Sequence, residues 1–185
     1  MGLEKYVLNG NPICCAANVV SGEHYRISML TTALVRLEYS ENGEFEDRPT
    51  QMVVNRDFAP TEFKVSDVNG ELHIYTKDLE IHYDKKEFTP GGLMIRVAGG
   101  KSNERVWHYG EAPRDLLGTA RTLDEADGAI PLEHGILSKN GFSLIDYNLE
   151  EAKATSTFYI QEYSSNFRIN KEIGKNGVWE INIPV

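Results

Sequence analysis

Residues 62–83 read EFKVSDVNGELHIYTKDLEIHY, and this stretch decides the fold. Glu62 to Val68 and Glu71 to Thr76 are strand-like pieces separated by Asn69-Gly70. A two-residue type I′ turn needs φ > 0 at both central positions, which Asn-Gly supplies at little steric cost, so the pair predicts a hairpin. Leu79, Ile81 and Tyr83 then alternate with Glu80 and His82, placing apolar side chains on one face and polar ones outward.

The same period extends outward in both directions. Upstream, Tyr25, Ile27 and Met29 alternate with polar neighbours, and Val35, Leu37 and Tyr39 oppose Arg36, Glu38 and Ser40. Met52 to Asn55 is a short apolar run suited to a strand, and residues 1–22 suit an edge strand or lead-in. Downstream, Leu93, Ile95 and Val97 follow the Pro90-Gly91-Gly92 turn. Phe158 with Ile160, and Trp179 with Ile181 and Ile183, continue the pattern. Thr122 to Glu125 matches a capping box, so a short helix is expected there, stopped by Gly128. Many short strands and little 3.6-period patterning predict an all-β sandwich.

The chain has 185 residues, within the ordinary range of one domain. A chain of this size buries about 70% of its unfolded surface, so no staples are needed. Net charge is −9, and no basic run occurs. Nucleic-acid and anionic-membrane binding are disfavoured, because both need a basic footprint. No run approaches the ~20 apolar residues of a membrane span, and the first residues carry no signal-peptide core. Cys14 and Cys15 are the only cysteines; adjacent cysteines bridge poorly, so two reduced thiols and a cytoplasmic location are expected.

Several motifs fail on their own chemistry. Asp124-Glu125-Ala126-Asp127 spells a helicase box, and Gly100-Lys101-Ser102 ends like a phosphate loop, but Ile95 stands where that loop needs its first glycine. Gly141-Phe142-Ser143 is not a nucleophile elbow, since Ile145 replaces the second glycine. His24, His73, His82, His108 and His134 form no His-x-His or His-Glu-x-x-His set. Solvated or satisfied imidazoles are the default for His73 and His82, and neither metal nor other cofactor is expected.

The stretch with functional promise is Gly110 to Tyr147, apolar throughout yet broken by Pro113, Gly118, Gly128, Pro131, Gly135 and Gly141. Long loops anchored in this way are usually functional. Within it run Gly118-Thr119-x-Arg121-x-Leu123-Asp124, Gly128-x-Ile130-Pro131-Leu132, Gly135-Ile136-Leu137-Ser138 and Gly141-Phe142-x-Leu144-x-Asp146. Upstream stand Phe45-Glu46-Asp47-Arg48-Pro49-Thr50-Gln51 and Val54-Asn55-Arg56-Asp57-Phe58. In this order the pieces resemble the N-terminal domain of family-31 glycoside hydrolases, the α-glucosidase and α-xylosidase family. The resemblance covers roughly residues 20–148.

The resemblance implies a galactose-mutarotase-like sandwich over residues 1–148, followed by a divergent tail, 149–185, with strand-like segments. It also implies a catalytic barrel as partner, because the family's two catalytic aspartates sit on that barrel. Such a barrel needs about 250 residues, and no Met-Asn-Glu occurs here. No catalytic residue is therefore assigned, and no hydrolysis is expected from this chain alone. Retaining hydrolysis needs two carboxylates about 5–5.5 Å apart; the loop offers Glu111, Asp115, Asp124, Glu125, Asp127, Glu133 and Asp146, with nothing to pair them.

In related enzymes an Arg-Asp pair in this loop touches the leaving-group sugar. Lys139 and Asn140 occupy those positions, and Phe142 stands where a tryptophan is usual. Lysine keeps the charge without the bidentate fork; Phe142 would stack on an apolar sugar face. His134, inside the loop, is a further sugar-contact candidate. Arg121 and Asp124 are expected to pair structurally and hold the loop to the sandwich. A solvated turn at Lys139-Asn140-Gly141 is the plainer alternative. Other readings stay open: a free-standing carbohydrate-binding module stacking through Trp107, Tyr109 or Phe142, an assembly domain forming homo-oligomers, or an epimerase on the same sandwich.

Overall fold

A computed structural model describes residues 10–49, 53–98, 105–112, 114–118, 127–130, 132, 135–146 and 155–162, with backbone alone for 145–146 and 155–162. The described residues are nearly all β, with one 3-10 turn at Ala16–Asn18. Ten strands run in chain order. They are β1 (Val19–Ser21), β2 (Tyr25–Thr31), β3 (Leu34–Ser40), β4 (Lys64–Val68), β5 (Glu71–Tyr75), β6 (Leu79–Tyr83), β7 (Leu93–Val97), β8 (Val106–His108), β9 (Phe142–Asp146) and β10 (Thr155–Glu162). They form two antiparallel sheets, ordered β1-β2-β3-β10-β9 and β4-β5-β6-β7-β8.

The second sheet is a meander whose turns are written locally. Asn69 and Gly70 take φ of 55° and 90°, as the β4–β5 hairpin requires. The β5–β6 turn closes through Thr76, whose amide donates to Leu79 O at 2.9 Å. The Thr76 hydroxyl accepts from Leu79 N at 2.8 Å and donates to Thr32 O at 2.6 Å. With the Thr32 hydroxyl bound to Asp78, it fastens the β5–β6 turn to the β2–β3 turn of the other sheet.

The core lies between the sheets. Ile27, Met29, Val35 and Leu37 come from the first; Ile74, Leu79, Ile81, Leu93 and Ile95 come from the second. Each such side chain contributes about 1.5–3 kcal/mol on burial. Tyr25, Tyr83 and Phe88 cross between the layers, with Tyr25–Tyr83 and Tyr83–Phe88 centroids 5.2 and 5.4 Å apart, both edge-to-face. Burial holds the Tyr83 phenol well above its ordinary value.

Arg36, Glu38 and Ser40 form the polar face of β3 and are buried. Residues 44–49 roof that face, with 53–61 tied to them through Arg56. Val53 to Asn55 lies in this roof as irregular chain rather than as a strand; Met52 is outside the described residues. Asn55 Oδ1 accepts from Asn11 N at 3.0 Å, and Arg56 N donates to Asn11 O at 2.7 Å. β10, the strand-like segment expected around Phe158 and Ile160, pairs with both β3 and β9 inside the first sheet.

The roof is held by charge. Glu38 accepts from Arg26 Nε at 2.7 Å and Nη2 at 3.0 Å, and its Oε1 lies 2.7 Å from Arg36 Nη2. Arg26 also meets Asp47 at 2.7 Å, and Phe45 lies under its guanidinium at 5.0 Å. Arg36 donates to Glu46 O at 2.7 Å. Arg56, fully buried, donates to Pro12 O at 2.8 Å and Arg48 O at 3.1 Å. Glu46 itself is held down to about 2, chiefly by the Arg48 guanidinium beside it. The described residues of the two upstream motifs, 45–49 and 54–58, thus supply this roof.

Candidate functional site

The loop that begins at Gly110 leaves β8 through a tight turn. Trp107 Nε1 donates to Glu111 O at 2.8 Å, and His108 N donates to Glu111 Oε2 at 3.0 Å. Its two described halves, 114–118 and 135–140, then run alongside each other. Leu116 N donates to Leu137 O at 2.7 Å, Lys139 N to Arg114 O at 2.8 Å, and Asp115 bridges Ser138. Asp115 Oδ1 accepts from Leu117 N at 3.2 Å, and its Oδ2 from Gly135 N at 2.9 Å. Asn140 Oδ1 accepts from Arg114 N at 2.9 Å.

Two residues explain the local sequence. Leu117 takes φ of +64°, a conformation unfavourable for a γ-branched residue and held by the Asp115 carboxylate. Gly135 packs so closely that a Cβ there would sit 2.4 Å from Leu117 O. Only glycine permits that approach. The Ser138 hydroxyl donates to Phe142 O where the loop re-enters β9.

The arm so formed is fixed at its base and apolar outside. Leu116, Leu117, Leu132, Ile136 and Leu137 are each 42–55% exposed. Elsewhere among the described residues, the large exposed apolar side chains are Ile13, Val65, Val68 and Tyr75.

Of the sequence-predicted site residues, Lys139 and Asn140 lie together on this arm, Lys139 exposed and Asn140 half-buried. Phe142 departs from the expected sugar-stacking ring: at 2% exposure it belongs to the core, because its side chain is on the inward face of β9. Trp107 is likewise buried. His134, Arg121, Asp124 and the expected helix at Thr122–Glu125 lie outside the described residues. Of the loop acids, Asp115 and Glu111 are engaged by backbone amides of the arm's own turns.

A second arrangement was not foreseen. The outward face of β5 and β6 carries Glu71, His73, Tyr75, Glu80 and His82. His73 and His82 are direct cross-strand partners, with rings stacked at 4.0 Å and tilted by 16°. His73 Nε2 lies 2.9 Å from Glu71 Oε2 and His73 Nδ1 lies 3.2 Å from the Tyr75 hydroxyl. His82 Nε2 lies 2.8 Å from Glu80 Oε1. One ligand atom each from Glu71, His73 and His82 falls within 4.8 Å of the others. The signal was present in the turn: His73 and His82 are equidistant from Lys77-Asp78, so a two-residue hairpin loop there makes them neighbours.

No family model matches this sequence, and no curated protein is significantly similar to it. No helix among the described residues is long and apolar enough to cross a membrane.

Proposed function

We propose that this chain is the accessory sandwich of a family-31-like α-glycosidase. Its arm packs on a catalytic barrel and offers Lys139 and Asn140 to an α-glucoside or α-xyloside. The supporting observation is the arm itself, tied down at its base by Asp115, Gly135 and Asn140 yet exposing five large apolar side chains. A solvated turn has no use for that surface, and a neighbouring domain would cover it. Lys139 supplies a donor for sugar hydroxyls, and the Asn140 amide can add hydrogen bonds at the rim. With Phe142 and Trp107 in the core, stacking is not part of this contact.

The test mixes the purified chain with a family-31 barrel stripped of its own sandwich, and follows aryl α-glucoside and α-xyloside hydrolysis. The chain alone should give no turnover. Association should restore activity, and Lys139→Ala should raise KM with little change in kcat. Absence of association at tens of micromolar refutes the proposal. So does robust turnover by the chain alone.

A second reading rests on β4. All five of its residues are exposed at the edge of the second sheet, Val65 and Val68 among them. An open edge strand can pair with a second copy, which favours a homo-oligomer. Light scattering that gives a monomer mass up to high concentration removes this reading.

A further inference from the structure

We propose that Glu71, His73 and His82 form a binding site for a divalent transition-metal ion, zinc being the reference ion. The site is independent of the arm. It lies on the outward face of the β5–β6 hairpin.

The donor set fits the chemistry. Two imidazoles and one carboxylate are a recurrent zinc triad, with the fourth position left to water or a further ligand. In a tetrahedral shell with bonds of ~2.05 Å, donors stand ~3.3 Å apart. The three donor atoms here already lie within 4.8 Å of one another. Glu71 Oε2 already stands 2.9 Å from His73 Nε2, and its side chain, 44% exposed, can turn about its outer torsions. Strand register sets the two rings side by side; because a ring nitrogen binds a metal in the plane of its ring, the stacked pair must tilt from its 16° alignment for both nitrogens to reach one ion.

The surroundings already orient the ligands. As drawn by the hydrogen bonds, His73 donates from Nε2 to Glu71 while the Tyr75 hydroxyl donates to Nδ1. If Nε2 gives its proton up and takes the ion, Nδ1 becomes the donor and the Tyr75 hydroxyl the acceptor. A tyrosine hydroxyl can serve in either role. That outer partner would fix the tautomer, as in most histidine metal sites. Glu71 then exchanges a hydrogen bond for a metal bond, and Glu80 remains beside His82. The flanking Glu71 and Glu80 add negative charge on the same face. Imidazole nitrogen with carboxylate selects zinc, copper(II) or nickel(II) over calcium or magnesium.

The experiment uses the untagged chain carrying Cys14→Ser and Cys15→Ser, so that thiols cannot compete. Titration calorimetry with zinc chloride near neutral pH should show one ion per chain. His73→Ala and His82→Ala should each weaken binding at least tenfold, while His108→Ala leaves it unchanged. Cobalt(II) should give the visible absorption of a four- or five-coordinate site. In the unsubstituted histidine background, zinc should shift the ring signals of two of the five histidines. That readout needs no variant to fold. Absence of saturable binding overturns the proposal. So does affinity that survives both histidine substitutions, or ring shifts at histidines other than these two.

Discussion

Removing the Glu38 carboxylate tests how the roof over the first sheet is held. Glu38 is fully buried between Arg26 and Arg36, with three contacts of 2.7–3.0 Å. Glu38→Leu leaves two guanidiniums facing each other, Arg36 itself being 2% exposed. Stranding a buried partner in this way costs about 3–5 kcal/mol. For a chain of this size each kcal/mol lowers Tm by roughly 2–4 °C, so the drop should be about 6–20 °C. Thermal and urea unfolding followed by circular dichroism give both values. The double variant Arg36→Leu/Glu38→Leu removes the second charge with the first and should be more stable than Glu38→Leu alone. Arg26 keeps Asp47 at 2.7 Å in that background. A loss under about 1 kcal/mol for Glu38→Leu refutes the reasoning. A double variant no better than the single one refutes it equally, since the cost would then lie in packing rather than in unpaired charge.

Two further outcomes follow from single contacts. Gly135→Ala drives a Cβ into Leu117 O at 2.4 Å, and the overpacking costs about 1–3 kcal/mol; limited proteolysis should cut the arm between residues 114 and 140 several-fold faster, with the sandwich intact. Burial raises the Cys14 thiol above its ordinary value, outweighing the contrary pull of Ser28, Arg26 and Arg36. Iodoacetamide should therefore modify Cys14 only at more alkaline pH than a free thiol. A raised value means the folded chain favours the protonated thiol, so this contribution is intact below the unfolded pKa of about 8.5 and is lost as pH rises through the folded value. A fall in urea midpoint above that pH, smaller in Cys14→Ser, checks the sign.

The hairpin at Asn69-Gly70 and the inward residues of β2, β3, β6 and β7 were legible because turn chemistry and period-2 alternation are local. The roof was not. Alternation shows that Arg36 and Glu38 share a face, but not whether that face meets water, since what covers it lies about ten or twenty residues away at Glu46 and Arg56. Phe142 and Trp107 misled for a related reason. An aromatic in a glycine-rich stretch suggests a binding ring, whereas strand register settles which way it faces. The alternation of Phe142 with Leu144 was the available clue, and both join the core cluster. The histidine pair needed only one more step, the reading of Lys77-Asp78 as a two-residue turn.

The two outer faces of the sandwich therefore differ in kind. On the first sheet, β2 and β3 have their outer side covered by residues 44–49 and 53–61 and neutralised internally through Glu38. The second sheet carries Glu71, His73, Glu80 and His82 partly exposed on its outer side, with the fully exposed β4 at its edge. The arm grows from the end of that same sheet, directly after β8. Zinc would tie β5 to β6 without touching Asp115 or Gly135, whereas a sugar or a barrel would engage Lys139 and the exposed leucines without touching His73. Loss of one response in a variant of the other surface would show that these two surfaces are coupled through the core they share.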